Sequence, residues 1–370
     1  MRLAQLAARA GRFLWWRTYM SWIYPLGDPL SARWGWAARL VRWPLPWLAP
    51  YRRSQLHLLR PAALGDVLMC TPALRELKRR NPSCQVTVYT KFPDAIAGLP
   101  FIDRVGRVDE SPGDAIWPNY ERSLPPRRHI ARIFGDHLGL AVHDIRPSCV
   151  VDPALRDRFR AAWQDRPRPW IVVSRRAGGW TPNKDWPDEL WDELIDRMAS
   201  RGTVIEVGVE AAGLPPRSGG SYVDLRGQTT VPELIAAIAA SDVLVGPITG
   251  TVHIAAAMGV PAVVIYGGYE HPNCSSYPGN INLYSPVDCA PCWLRDPCPF
   301  GKKCLHQITP DQVEAAVHRL WAANRSGSSA GTPGVRPQSS SWEPFPTASS
   351  AHTQGLLTMP SKGSERAHHH

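Results

Sequence analysis

Between residues 170 and 323, short apolar runs alternate regularly with stretches of helical spacing, and no other feature restricts the fold so sharply. The run Trp170-Ile171-Val172-Val173-Ser174 lacks polar alternation, as expected of a parallel strand covered on both faces. Helix 187–201, strands 203–208 and 222–225, helix 231–240, strand 242–246, helix 251–258, strand 261–266 and helix 310–323 are expected to follow. Strands joined by helices pair in parallel through right-handed crossovers. Residues 167–323 therefore read as one doubly wound lobe.

A shorter copy of the pattern comes first. A strand ending at Arg60 leads through a Pro-Ala-Ala-Leu-Gly turn into a helix from Asp66 to Arg80, with Val67, Thr71, Leu74 and Leu77 on one face. Asn81-Pro82 stops that helix, and Gln85–Thr90 alternates as the next strand. Residues 54–166 are expected to form a first lobe, and 370 residues suit two α/β lobes facing a cleft.

The formal charge of +10 is unevenly placed. Residues 1–53 hold nine arginines against one acid, Asp28, and seven of the sixteen tryptophans. Arginine interleaved with tryptophan suits the headgroup layer of an anionic membrane, so a peripheral membrane-surface element is expected there, with an ordinary packed extension as the alternative. No nucleic-acid motif accompanies the charge, and no nucleic-acid partner is expected. Arginine or proline interrupts every apolar run, so neither a membrane span nor a cleaved signal is expected. After Ala323 the composition turns to Ser, Gly, Pro and Thr, and 324–370 is expected to be disordered.

In doubly wound sheets ligands bind beyond the carboxyl ends of the strands, which directs attention to three loops. The first, Leu64-Gly65-Asp66-Val67, sets a carboxylate at a helix start, where Asp66 is either a cap or a base. The second runs from Ser174 to Pro187 and offers Arg175, Arg176 and Lys184 around Gly178-Gly179, a set suited to an anionic group, or a solvated turn. The third, Thr249-Gly250-Thr251-Val252-His253, leads into a helix whose first N–H groups and two hydroxyls suit an anion; His253 is either part of that site or a packing histidine.

Together these residues resemble a known family. Gly65-Asp66-Val67 with Thr71-Pro72-Ala73-Leu74, Lys184-x-Trp186-Pro187, and Thr249-Gly250-x-x-His253 with the run from Ala255 to Pro261 are similar to glycosyltransferase family 9, the ADP-heptose:lipopolysaccharide heptosyltransferases and their relatives. The resemblance covers about residues 55–322. It implies a GT-B fold, α/β with two Rossmann-like lobes, acceptor on the first and nucleotide sugar on the second. Asp66 then matches the catalytic base, Lys184 with Thr249, Gly250 and Thr251 the diphosphate and nucleotide site, and His253 the histidine beside it. The implied activity is inverting transfer of a heptose from ADP-heptose to a lipid-linked or lipopolysaccharide acceptor, in the bacterial cytoplasm at the inner membrane face. Asp66 would take the proton of the acceptor hydroxyl as the nucleoside diphosphate leaves.

No Asp-x-Asp pair is present, so Lys184, Arg175 or Arg176 and the helix start at 251 are expected to neutralise the leaving phosphate without a catalytic metal. Two positions depart from the family: Ile248 stands where an acid usually precedes Thr-Gly, and the Arg175-Arg176 pair is uncommon. Glu206 and Glu210 are alternative ribose-binding acids.

Cys289, Cys292, Cys298 and Cys304 fall within sixteen residues, a spacing that suits a structural zinc or iron site. Disulfides or free thiols are the alternatives. Two other functions compete with glycosyl transfer. A nucleotide-sugar oxidoreductase or epimerase would want Gly-x-Gly-x-x-Gly after the first strand, where only Gly65 is found. A non-catalytic nucleotide-binding scaffold would not need Asp66 and Lys184.

Overall fold

The computed structural model describes residues 49–122, 124–209 and 221–325. The expected membrane-surface element at 1–53, apart from its last five residues, lies outside the described residues, as do Glu210 and all of the expected tail beyond Arg325.

The first sheet has three parallel strands in the order β1 (Gln55–Arg60), β2 (Gln85–Thr90), β3 (Arg104–Gly106). Ile116 extends the other edge of β1, its N–H donating to His57 O at 2.7 Å. Between β1 and β2 runs α1 (Leu64–Arg80), which buries Val67, Leu68, Leu74 and Leu77 on the sheet. Pro72 lies inside it and cannot donate to Leu68 O. The Thr71 hydroxyl takes that carbonyl at 2.6 Å, so the helix continues through the proline. Two further helices follow, α2 (Ile130–His137) and α3 (Pro153–Trp163).

α3 was not anticipated, although Asp152-Pro153 is a helix start and Leu155, Phe159 and Trp163 recur at four-residue spacing. Asp152 caps it through the N–H groups of Ala154 and Leu155. It packs on the second lobe, with Arg158 bound to Glu233 at 2.9 Å and Trp163 edge-on to Trp170.

The second sheet holds six parallel strands: β4 (Trp170–Ser174), β5 (Thr203–Val207), β6 (Tyr222–Asp224), β7 (Val243–Pro247), β8 (Ala262–Gly267) and β9 (Ile281–Tyr284). Their spatial order is β6-β5-β4-β7-β8-β9, which reverses between β4 and β7. Every residue of β4, β5, β7 and β8 is buried, as continuous apolar strands require. The covering helices are α4 (Asp188–Ala199), α5 (Val231–Ala240), α6 (Gly250–Met258), a short α7 (Lys303–His306) and α8 (Pro310–Arg325). α5 opens with a capping box between Thr230 and Glu233, and α6 closes on Gly259, whose φ of 72° suits glycine.

Trp186 and Trp191 are fully buried on one face, with rings 5.0 Å apart and perpendicular. On the other face, one apolar cluster runs without a break from the first sheet into the second. The lobes meet where α1 and α6 begin. A Cβ on Gly65 would stand 2.6 Å from His253 Cδ2, closer than packed atoms allow, and in contact with the Gly250 Cα at 3.4 Å. Gly65→Ala is therefore expected to cost about 1–3 kcal/mol through forced repacking, read as a lower denaturant midpoint. An unchanged midpoint would mean that the seam yields freely.

Candidate active site at the meeting of two helix starts

The crevice where the strand order reverses lies between the ends of β4 and β7. The backbones come together tightly there: a Cβ on Gly246 would lie 2.9 Å from Ser174 O. The loops that follow these two strands, 175–184 and 248–250, are joined by Thr249 Oγ1 donating to Ala177 O at 3.4 Å. They carry all the expected donor-site residues but Thr251 and His253, which open α6.

Asp66 does not cap its helix. Ala63 is the capping position, and the Asp66 carboxylate turns instead to Arg60, Oδ2 to Nη2 at 3.2 Å. Arg60 is wholly buried at the end of β1. It binds Glu121 through both terminal nitrogens, at 2.5 and 3.3 Å, and donates to Pro118 O at 2.9 Å. The rings of Tyr120 and Phe134 stand 5.6 and 5.2 Å from its guanidinium carbon. Burial alone would lower the Arg60 pKa, but the two carboxylates outweigh it and hold it above the ordinary arginine value. Burial raises the Asp66 pKa above the usual carboxylate range, and Glu121 adds to that; Arg60 and, more weakly, Lys184 pull it back. Lys184 belongs to the second lobe, so the sheets bring carboxylate and cation within electrostatic reach across the seam.

Lys184 Nζ binds the buried Glu270 at 3.0 Å and lies 4.7 Å from the centre of the Tyr269 ring. Glu270 also accepts from the Ser275 hydroxyl. Among the described residues no side chain caps α6, and the buried Thr251 hydroxyl has no partner. An anion at this helix start could take the open N–H groups and that hydroxyl together.

His253 is placed as a packing histidine. Its Nδ1 and the Tyr277 hydroxyl share a hydrogen bond of 2.7 Å, and its ring closes against Gly65. Burial pushes its pKa down to about 3, with the nearby His129 and Lys184 adding to the effect, so it is neutral. Ile248 is buried in the core, 3% exposed, so the position that departs from the family presents no polar group.

Arg175 corrects an expectation. Its guanidinium is buried and bound to Glu206 at 2.7 Å and Asp192 at 2.8 Å, so it is consumed inside the lobe and not directed at a donor. The same pair withdraws Glu206 as a ribose ligand: that carboxylate also accepts from Tyr222 Oη at 2.5 Å and lies near Arg226. Arg176 is partly exposed and bound to Asp188 at 2.7 Å, which leaves it the arginine of the pair nearer to solvent.

The four cysteines of the 289–304 loop surround Cys292 closely enough for the other three to act electrostatically on its thiol, which burial, the larger effect, raises. As placed they do not fit a metal: among the described residues no three Cys, His, Asp or Glu side chains stand at ligand spacing. Arg60, Glu121, Glu270 and Tyr277 were not singled out from the sequence. Arg60 had a signal, a charged residue closing an otherwise apolar strand; the other three are isolated residues in loops.

Two parallel α/β lobes, with a carboxylate and an anion-ready helix start meeting at their junction, define a GT-B protein. The chain belongs to glycosyltransferase family 9 (heptosyltransferase), whose family model matches residues 104–303. It is 30% identical over 171 residues to lipopolysaccharide heptosyltransferase 1 of Pseudomonas aeruginosa. That alignment spans 45% of this chain and 45% of the relative, less than half of either. The fold is similar to that of E. coli ADP-heptose lps heptosyltransferase II, with a TM-score of 0.56 and 16% identity over 73% of this chain and 99% of the other. It is equally similar, TM-score 0.56, to the dodecameric iron-containing heptosyltransferase TibC in complex with ADP-D-beta-D-heptose, at 20% identity over 74% of this chain and 76% of that one.

Removing one partner of a buried pair leaves the other charge uncompensated. Arg175→Met is therefore expected to cost on the order of 3 kcal/mol in urea unfolding while leaving nucleotide affinity within about twofold. Loss of nucleotide binding with unchanged stability would return Arg175 to the donor site.

Proposed function

We propose that this protein transfers a heptose from a nucleoside-diphosphate sugar, ADP-heptose foremost, to a hydroxyl of a lipopolysaccharide or lipid-linked glycan, inverting the anomeric carbon. The observation that carries this reading is the Asp66 carboxylate at the start of α1, set against the start of α6 and within reach of the Lys184 charge. The heptosyltransferase relatives support the sugar, and the complex of TibC with ADP-D-beta-D-heptose supports the nucleotide.

In this reading the donor's diphosphate lies over the first turn of α6, bound by backbone N–H groups, Thr251 and Lys184. As the bond from the anomeric carbon to the phosphate oxygen breaks, negative charge grows where those groups already point. Asp66 takes the acceptor proton as the acceptor oxygen attacks from the opposite face. Arg60 fixes the direction of Asp66, and its charge opposes the rise in the Asp66 pKa that burial causes.

Asp66→Asn should lower kcat for ADP-heptose transfer by about 10²–10⁴-fold with ADP binding retained. Retention of full transfer would favour a non-catalytic binding role for the cleft. The raised pKa fixes a sign for stability. An acid whose folded pKa lies above its unfolded one contributes stability below the unfolded value and loses it as pH rises through the folded value. Stability relative to Asp66→Asn should therefore fall from pH 3 to neutrality. In Arg60→Met the charge opposing burial is gone, so the acid limb of the pH–rate profile should move to higher pH; movement to lower pH would contradict the arrangement.

Two partners complete the proposal. Residues 1–53 hold the enzyme to the anionic inner face of the bacterial cytoplasmic membrane. Sedimentation of the full chain with phosphatidylglycerol vesicles, weakened by salt, is the expected result. The four cysteines draw together around a structural zinc or iron that takes no part in the transfer. Elemental analysis of freshly purified, reduced protein should find about one metal atom per chain, and finding neither metal removes that part.

A further inference from the structure

The turn that presents Lys184 is short, held within itself by the Asn183 N–H donating to Thr181 Oγ1 at 3.2 Å and the Asp185 N–H to Pro182 O at 3.2 Å. It is a single turn, Pro182–Lys184, following a loop with two adjacent glycines. The cysteine loop ties it down, chiefly through one side chain. Asn183 is 4% exposed and spends its amide on that loop: Nδ2 donates to Leu294 O at 2.9 Å and to Asp296 O at 2.7 Å, and Oδ1 accepts from the Cys298 N–H at 2.9 Å. Thr181 Oγ1 adds a bond to Leu294 O at 3.0 Å, and Lys302 Nζ reaches Asp185 O at 3.3 Å. The same loop also holds the residue that binds Lys184. Cys292 N–H donates to Gly268 O at 3.2 Å and Trp293 N–H to Tyr269 O at 3.1 Å, immediately before Glu270. Both halves of the Lys184–Glu270 pair thus hang from residues 292–302.

We infer that Asn183 is a positioning residue for the donor site, through which the cysteine loop sets where the Lys184 ammonium stands against the diphosphate. The inference rests on the reading of Lys184 as a diphosphate ligand. Its physical basis is that a lysine has four rotatable side-chain bonds and little orientation of its own. The backbone that carries it must be fixed for its charge to be preorganised. An asparagine bonded at three points to a neighbouring loop supplies that fixity, and the perpendicular Trp186–Trp191 pair anchors the turn from the other side.

A double-mutant cycle on the full chain tests this, with ADP as the probe and calorimetric affinity as the readout. Asn183→Ala should weaken ADP binding about tenfold, equal to 1.4 kcal/mol. Lys184→Met should weaken it at least as much, and the double variant should bind within about twofold of Lys184→Met alone, because Asn183 acts only through the lysine. Asn183→Asp keeps the acceptor for Cys298 but turns a buried carboxylate oxygen toward the Leu294 and Asp296 carbonyls, and should weaken ADP binding at least as much as Asn183→Ala. Asn280 is a half-buried asparagine of the same lobe that accepts from the Ala262 N–H at 3.1 Å, and it serves as a control for general loosening. Asn280→Ala should lower the Tm without changing ADP affinity. Independent losses that multiply to about a hundredfold in the double variant would overturn the inference and leave Lys184 as a ligand. No loss in Lys184→Met would remove the reading of Lys184, and the inference with it.

Discussion

Two helices begin against each other, and the rest of the site follows from that constraint. The starts of α1 and α6 each expose unpaired N–H groups and the positive end of a helix dipole. Apposed ends of like sign are unfavourable unless negative charge lies between or beside them. Asp66 supplies part of it from the protein, and an anionic ligand over α6 would supply the rest. Gly65 permits the approach, since any Cβ there meets His253. His253 accepts it by staying neutral and giving its Nδ1 to Tyr277.

Around this junction the charges come in linked sets. Arg60 holds Asp66 and Glu121; Lys184 holds Glu270, which also receives Ser275. In each set a cation with little exposure is matched by a carboxylate from another part of the chain, so neither is left uncompensated in a poorly solvated place. The consequence is that burial raises the Asp66 pKa while the Arg60 charge opposes the rise, so the carboxyl is held between two effects of opposite sign.

The second lobe was legible because its strands are fully covered and therefore continuously apolar. β4, β5, β7 and β8 stand within one or two residues of their expected bounds, the usual uncertainty of element ends. β3 and β9 were not legible: one has three residues, and the other mixes Asn282 with apolar neighbours that are only half buried. In the site, chain-local signals singled out Asp66, Lys184 and the Thr249–Thr251 turn, which the structure places around one junction. They failed for Arg175 because sequence shows that an arginine follows a strand, not that Glu206 from the neighbouring strand faces it. Glu121 and Glu270 were invisible for the same reason, since their partners, Arg60 and Lys184, lie far away in the chain.

The seam at Gly65 has a consequence for how such a molecule could breathe. Asp66 rides on the same turn that touches α6, so this carboxylate and the start of α6 share one point of contact. A rotation of the lobes about that point would swing the outer ends of the crevice widely while moving Asp66 and the start of α6 very little relative to each other. The packing of α3 on the second lobe and the contact of His129 Nε2 with Ser276 O lie away from that point, so these are the joints that such a rotation would have to loosen.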